Sequence, residues 1–202
     1  MTVKLNRILS KKTAKLVQEN TRTSVIDGTI DIYVINEDTL KQLEQSTVSD
    51  TEKVFNLIRS INETIRQRGE FSPVLLSIGE RAQMLIELYT SRQKTTIETL
   101  DGLKNISNEM VEAEKQQIEK GMNRYGFAVY WIFKYEKLPK AESRAREIEK
   151  VLERYPHWQT SIQHEREVRR ELYKVLLDLG IDDLKMNEIV ESTLRTIKGG
   201  EL

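Results

Sequence analysis

The fold is decided by residues 95–121, which read TTIETLDGLKNISNEMVEAEKQQIEKG. Apolar side chains recur in this stretch at steps of three and four residues: Ile97, Leu100, Leu103, Ile106 and Met110. That spacing places them on one face of a helix. Thr95 or Thr96 can cap the start of the helix, and Gly121 can end it. We therefore predict a helix of about 24 residues, which is long for a globular protein, as the central helix of the fold.

Amphipathic patterns of the same kind lie on both sides of this central stretch. On the carboxyl side we expect four helices, with boundary signals at Asn123, Leu138-Pro139, Pro156, Thr160 or Ser161, Gly180 and Gly199-Gly200. On the amino side we expect a helix from Val3 to about Arg22 and three more. Asn36 and Asp50 are the candidate caps of the first two, and the third begins near Pro73. The chain is therefore predicted to form an all-α helical bundle of about eight or nine helices.

One short segment departs from the helical pattern. Ile30, Ile32 and Val34 alternate with Asp31 and Tyr33, and this period of two is typical of a strand. One short strand cannot build a sheet. We therefore expect at most a short strand or hairpin near 29–35.

The composition favours helices and excludes several kinds of chemistry. The 202 residues include only 9 glycines and 3 prolines, and 32 basic side chains balance 32 acidic ones. A net charge of zero argues against nucleic-acid binding through bulk charge. Cysteine is absent, which excludes disulfides, thiolate metal sites and thiol nucleophiles. No apolar run reaches the roughly 18–20 residues of a membrane span. We expect one cytoplasmic helical domain over residues 1–202, with a possible sub-boundary near 69–73.

No motif in the sequence points to catalysis. The phosphate loop G-x-x-x-x-G-K-[ST] and the dinucleotide fingerprint G-x-G-x-x-G do not occur. The two histidines are His157 and His164, and His164 could share a metal with Glu167 three residues later. No further cluster of ligands joins them, so surface or hydrogen-bonded histidines are expected instead. We assign no catalytic, cofactor-binding or metal-binding residue.

The two tryptophans receive different predictions. Trp131 lies on the apolar face of a predicted helix, so we expect it in the core, where replacement by alanine costs about 3–5 kcal/mol. Trp158 follows a helix stop, and two roles stay open for it. It can pack between helices, or it can form a partner contact together with His157 and Gln159, because tryptophan is enriched at binding hot spots.

Basic side chains gather on one predicted helix. Arg166, Arg169 and Arg170 stand at i, i+3 and i+4 and so share a face. Such a patch can contact DNA phosphates or an acidic partner. Glutamates such as Glu165 and Glu167 are interleaved with it, so ion pairs on a solvated face are the alternative.

Several short motifs, taken in order, resemble one protein family. They are SIGERA at 77–82, YTSRQ at 89–93, TTIETL at 95–100, FAVYW at 127–131, YPHWQTS at 155–161 and LYK at 172–174. Together they resemble the C-terminal helical region of the restriction (R, motor) subunit of type I restriction–modification enzymes. The resemblance is good from about Phe71 to Gly180 and weaker before Asp50.

The resemblance implies a role in assembly. The family's whole subunit is an ATP-dependent DNA translocase and endonuclease that joins a core of modification and specificity subunits. Its nuclease and motor domains carry the catalytic motifs and use ATP and Mg2+, and none of those motifs occurs here. The resemblance therefore implies a C-terminal fragment that is not itself an enzyme, needs no cofactor and docks the motor subunit onto the methyltransferase core, with DNA reached through the complex. A helical nucleic-acid-binding module that uses the basic helix face is the alternative.

Overall fold

The structure is a computed structural model that describes residues 34–69 and 72–199. Those residues contain helices and no strand, so the all-α prediction is confirmed. The eight helices that the described residues form are α1 Glu37–Gln45, α2 Asp50–Arg68, α3 Pro73–Thr90, α4 Thr96–Lys120, α5 Arg124–Tyr135, α6 Ala141–Arg154, α7 Ile162–Leu177 and α8 Asp183–Ile197. The predicted helix over 3–22 and most of the predicted strand lie outside the described residues; Val34 and Ile35 are irregular.

The helix starts follow from local capping, with one correction to the prediction. Asn36 caps α1 as expected, because its Oδ1 accepts from the Thr39 amide at 2.9 Å. The cap of α2 is Ser49 rather than Asp50. Ser49 Oγ accepts from the Glu52 amide, and the Glu52 carboxylate accepts from the Ser49 amide at 2.8 Å. This reciprocal pair satisfies two amides at once, and it leaves Asp50 in the first turn, where its charge favours the helix dipole.

By their packing the described residues fall into two units. Unit 1 contains 34–69 and 78–114, and unit 2 contains 72–77 and 115–199. The helices α3 and α4 each contribute to both units. Folding of residues 1–202 as a single domain stays a prediction.

Unit 1 is built on the apolar stripe of α2. The stripe residues are at most 2% exposed: Val54, Leu57, Ile58, Ile61 and Ile65. Gly79 of α3 lies so close to this stripe that a Cβ there would meet Ile65 Cδ1 at 2.4 Å. Two ion pairs join α4 to its neighbours, Arg68 with Glu114 and Arg81 with Glu109, each at 2.5 Å. These contacts hold α2, α3 and the first part of α4 together.

Unit 2 contains a closed ring of four antiparallel helices. The helix α5 packs against α6 and α8, and α7 packs against the same two helices. Short connections join successive helices, as in up-and-down bundles. Its core includes many side chains that are at most 1% exposed, among them Phe127, Phe133, Ala145, Ile148, Val168, Leu172, Leu176, Ile189, Val190 and Leu194.

The two ends of this bundle differ. One end carries the connections 136–140 and 178–182, and we call it the two-loop end. There Glu136 pairs with Lys185 at 2.8 Å, and Arg144 donates to the Val175 carbonyl. The other end carries the connection 155–161, and we call it the one-loop end. In the ring, α5 and α6 form one side and α7 and α8 form the side opposite. The connections 136–140 and 178–182, which join these two pairs, therefore lie along opposite sides of the ring.

Two residues of the loop 136–140 have an energetically unfavourable backbone conformation. Lys137 and Lys140 both adopt a left-handed conformation with φ of 55°, which costs roughly 1–2 kcal/mol for a residue with a side chain. By contrast, the left-handed position in the loop 178–182 is occupied by Gly180, with φ of 64°, where this cost does not arise.

Candidate functional site

The turn at 155–161 joins α6 to α7 and contains three of the predicted contact residues. Its backbone closes on itself, since the Trp158 amide donates to the Tyr155 carbonyl and the Ser161 amide to the His157 carbonyl, at 3.0 and 2.8 Å. Ser161 then caps α7. Pro156 ends α6 because the residue before a proline disfavours helix. The turn is thereby fixed at the one-loop end.

Trp158 points into unit 2, and His157 and Gln159 do not. Its side chain is 3% exposed, and its ring meets the Tyr125 ring edge-on at 5.3 Å. Packing between helices, one of the two roles left open for Trp158, is therefore the role that the structure supports. His157 and Gln159 are exposed, and Gln159 Nε2 donates to the Tyr125 hydroxyl at 3.1 Å. A partner contact through His157 and Gln159 stays a prediction.

The expectation that Trp131 lies in the core is wrong, because its side chain is only half-buried. Its ring lies 5.8 Å from the Phe127 ring, and Lys134 Nζ lies 5.4 Å from its centre. The inward positions of α5 belong to Phe127, Tyr130 and Phe133, which recur at steps of three. Trp131 therefore flanks the inward face, and its loss is expected to cost less than that of a fully buried tryptophan.

The two histidines come together at the one-loop end. Their rings stack at 5.9 Å with an interplanar angle of 22°, and the Tyr155 ring lies 5.5 Å from that of His164. His164 Nδ1 is buried, and no hydrogen-bond partner for it is present among the residues that the structure describes. Those residues contain no group of three or more histidine, cysteine, aspartate or glutamate side chains that could hold a metal.

Two of the three predicted arginines are engaged in ion pairs. Arg169 pairs with Glu165 of its own helix at 3.3 Å and with Glu191 of α8. Lys198 binds the same Glu165 at 2.8 Å. Arg169 therefore links α7 to α8.

Arg170 and Arg166 lie on the outer part of the same helix. Arg170 pairs with Glu167 and lies 3.7 Å from Glu171. Arg166 is exposed, and it makes no ion pair within residues 34–69 and 72–199. Ion pairing therefore accounts for Arg169 and Arg170, and Arg166 is the member of the trio whose charge is open to a partner.

These surroundings predict unequal effects of two arginine substitutions. Arg169→Ala is expected to lower the free energy of unfolding by about 1–2 kcal/mol, because it leaves Glu165 and Glu191 without their shared partner. Arg166→Ala, the matched control on the same helix, should change it by less than about 0.5 kcal/mol. Urea unfolding followed by circular dichroism measures both. Equal effects would contradict the assignment of Arg169 as the link between helices.

The same network predicts acid sensitivity. Hydrogen bonds, chiefly from Lys198 and then from Arg169, hold the pKa of Glu165 below its ordinary value of 4.5, against the opposing effect of burial. A pKa lowered by folding means that the carboxylate stabilises the fold above the ordinary value, and this contribution is lost as pH falls through the folded pKa. The urea concentration at the midpoint of unfolding should therefore decrease as the pH falls below about 4.5. Glu165→Gln should make the slope of this decrease with pH smaller. An unchanged slope would refute this role.

Sequence reasoning missed a group of exposed apolar side chains. Tyr135, Leu177 and Leu184 are 67%, 61% and 72% exposed, and all three lie at the two-loop end. The exposure of Leu177 could have been predicted from its place in the helical pattern, because it lies one residue beyond the buried stripe that ends at Leu176.

None of the described helices is long and apolar enough to cross a membrane.

Three comparisons with known proteins bear on the function of the chain. No family model matches it, and no solved structure does. A protein of Methanocaldococcus jannaschii, provisionally named as the MjaIXP endonuclease subunit of a type I restriction enzyme, is 26% identical over 140 residues. The match covers 64% of this chain and 13% of that protein, so the chain is similar to a small part of a protein named as a restriction endonuclease subunit.

Proposed function

We propose that this chain is an assembly domain of a type I restriction–modification motor subunit. In this role it docks the ATP-dependent DNA translocase and endonuclease onto the core of modification and specificity subunits. The observation that carries the proposal is the similarity to a protein named as an endonuclease subunit of such an enzyme. Because the similarity covers 13% of that protein, the proposal concerns one domain of a large subunit.

The positions of the resembling motifs support this proposal. The FAVYW motif at 127–131 supplies Phe127 and Val129 to the interior of α5, where they are 1% and 0% exposed. The YPHWQTS motif at 155–161 forms the turn between α6 and α7 and buries Trp158. Both motifs therefore determine how the helices pack. A resemblance of this kind concerns a shared helical framework, which suits a domain that presents a fixed surface to a protein partner.

In this proposal the chemistry belongs to other segments of such a subunit. ATP, Mg2+ and DNA cleavage go with the motor and nuclease domains, and no residue of this chain is assigned to them. The complex would act in the cytoplasm, where its DNA lies.

Direct DNA contact is the second candidate function, and one observation favours it. Arg166, Lys150 and Arg154 are exposed on the neighbouring helices α6 and α7 and make no ion pair with any described residue. Phosphate contacts require exposed basic side chains of this kind. Glu147 and Glu153 are exposed on the same α6 helix, so the net charge of this surface is small.

A binding measurement with two arms tests both functions. The purified 202-residue chain is presented to the complex of modification and specificity subunits from the same source, and separately to a DNA duplex at low salt. Docking predicts saturable binding to the complex that Arg166→Glu leaves intact. Absence of such binding by a chain with full helical content would overturn the docking role. DNA affinity that falls with salt and is lost in Arg166→Glu would support the second function instead.

A further inference from the structure

The two-loop end of unit 2 has the features of a contact surface. Tyr135, Leu177 and Leu184, the last residues of α5 and α7 and the second residue of α8, are each more than 60% exposed there. Isolated apolar side chains on a surface are ordinary, but three large ones at the same end of one bundle favour that end as a contact surface. At the one-loop end the tryptophan of the connection, Trp158, is buried, and the large apolar side chain exposed there is that of Ile162.

The charges around this end have an ordered arrangement. The loop 136–140 carries Lys137 and Lys140, both exposed and without an ion pair to any described residue. The acidic side chains lie across the ring, on the loop 178–182 and the first residue of α8: Asp178, Asp182 and Asp183. Glu136 of the first loop is neutralised by its pair with Lys185 of α8, so the charge left over is basic on one side of the end and acidic on the opposite side.

This arrangement is complementary to itself. A two-fold axis that lies across the end, parallel to the two loops, exchanges the two sides of the ring between copies. The basic loop of one copy then faces the acidic loop of the other, twice. The end of α5, with Tyr135, faces the start of α8, with Leu184, in the second copy, and the end of α7, with Leu177, faces the start of α6. Symmetric dimers require such self-complementary patches, and opposite charges at the rim fix the register.

We propose that the two-loop end is a homodimer interface, and that its partner is a second copy of this chain. With helices about 10 Å across, the end of a four-helix bundle covers on the order of 400 Å² per partner. Stable interfaces bury about 800 Å² per partner, so the dimer is weak, with a dissociation constant in the micromolar range. The dimer does not depend on the docking role.

Sedimentation velocity on the full chain, from low to high micromolar concentration, tests the dimer. The wild-type chain should pass from monomer to dimer over this range. Leu177→Gln with Leu184→Gln should remain monomeric. The matched control is Ile162→Gln at the one-loop end, which removes a side chain that is 70% exposed and should leave the equilibrium unchanged. A wild-type chain that is monomeric at all concentrations would overturn the proposal. So would a control variant that loses the dimer to the same extent as the double leucine variant.

A charge-swap pair tests the arrangement itself. Lys137→Glu with Lys140→Glu makes both loops acidic, and Asp178→Lys with Asp183→Lys makes both basic; Asp182 is left intact because it caps α8. Each double variant alone should be monomeric through repulsion, and an equimolar mixture should form a heterodimer. Circular dichroism confirms that each variant keeps its helices. A mixture that stays monomeric while both variants are folded would refute the two-fold arrangement.

Discussion

Replacing Trp158 with alanine is expected to lower the free energy of unfolding by about 3–5 kcal/mol. Its side chain is 3% exposed and meets the Tyr125 ring edge-on at 5.3 Å, so truncation leaves a large cavity beside α5. The edge-on contact adds to the loss beyond the buried area. Urea unfolding followed by circular dichroism measures the change.

The matched control is Trp131→Ala, which should cost only about 1–2 kcal/mol because that side chain is half-buried. Fluorescence separates the two rings without relying on stability. Trp131→Phe leaves Trp158 as the sole emitter, with blue-shifted emission that iodide quenches weakly. Trp158→Phe leaves Trp131, with redder emission and stronger quenching. Equal costs and equal quenching would contradict the positions of these two rings.

Gly126→Ala is expected to cost about 2 kcal/mol, because the added methyl group has no space. A Cβ at this position would lie 2.7 Å from the Glu149 carboxyl carbon and 2.9 Å from its Cβ. The Glu149 carboxylate cannot simply move away, since its Oε1 accepts the Asn123 amide at 2.7 Å at the start of α5. The clash therefore separates α5 from α6 or breaks this capping bond. Thermal and urea unfolding both report the loss.

A double-mutant cycle identifies the source of this cost. Glu149→Ala alone removes the bond to Asn123 and should cost about 1 kcal/mol. In the double variant the carboxylate no longer obstructs the new methyl group, so the combined cost should be less than the sum of the single costs. Strict additivity would show that Gly126 is needed for a reason other than its approach to Glu149.

Helix positions were predictable from the sequence because they depend on local chemistry. The apolar steps from Leu100 to Met110 and the threonine before them predict α4, and Glu98 completes a reciprocal cap with Thr95 at 2.8 Å. Ile97 belongs to the same pattern but is 64% exposed. It lies in the first turn of its helix, and periodicity does not indicate where the packing against neighbours begins.

The candidate site was less predictable because it depends on pairing between helices. The spacing of Arg166, Arg169 and Arg170 places them on one face, but it cannot reveal that Arg169 finds Glu191 on another helix. The choice between the tryptophans had the same origin. Trp131 stands among apolar neighbours in the sequence and Trp158 among polar ones, yet tertiary packing buries Trp158 and leaves Trp131 half-buried.

The left-handed lysines of the loop 136–140 have a consequence for engineering. Glycine or asparagine suits such a backbone better than lysine does, so directed evolution for heat resistance alone would tend to replace Lys137 and Lys140. Each replacement would remove a positive charge from the rim of the proposed dimer. Selection for thermal stability would then weaken the proposed self-association, which is an instance of a trade-off between stability and function.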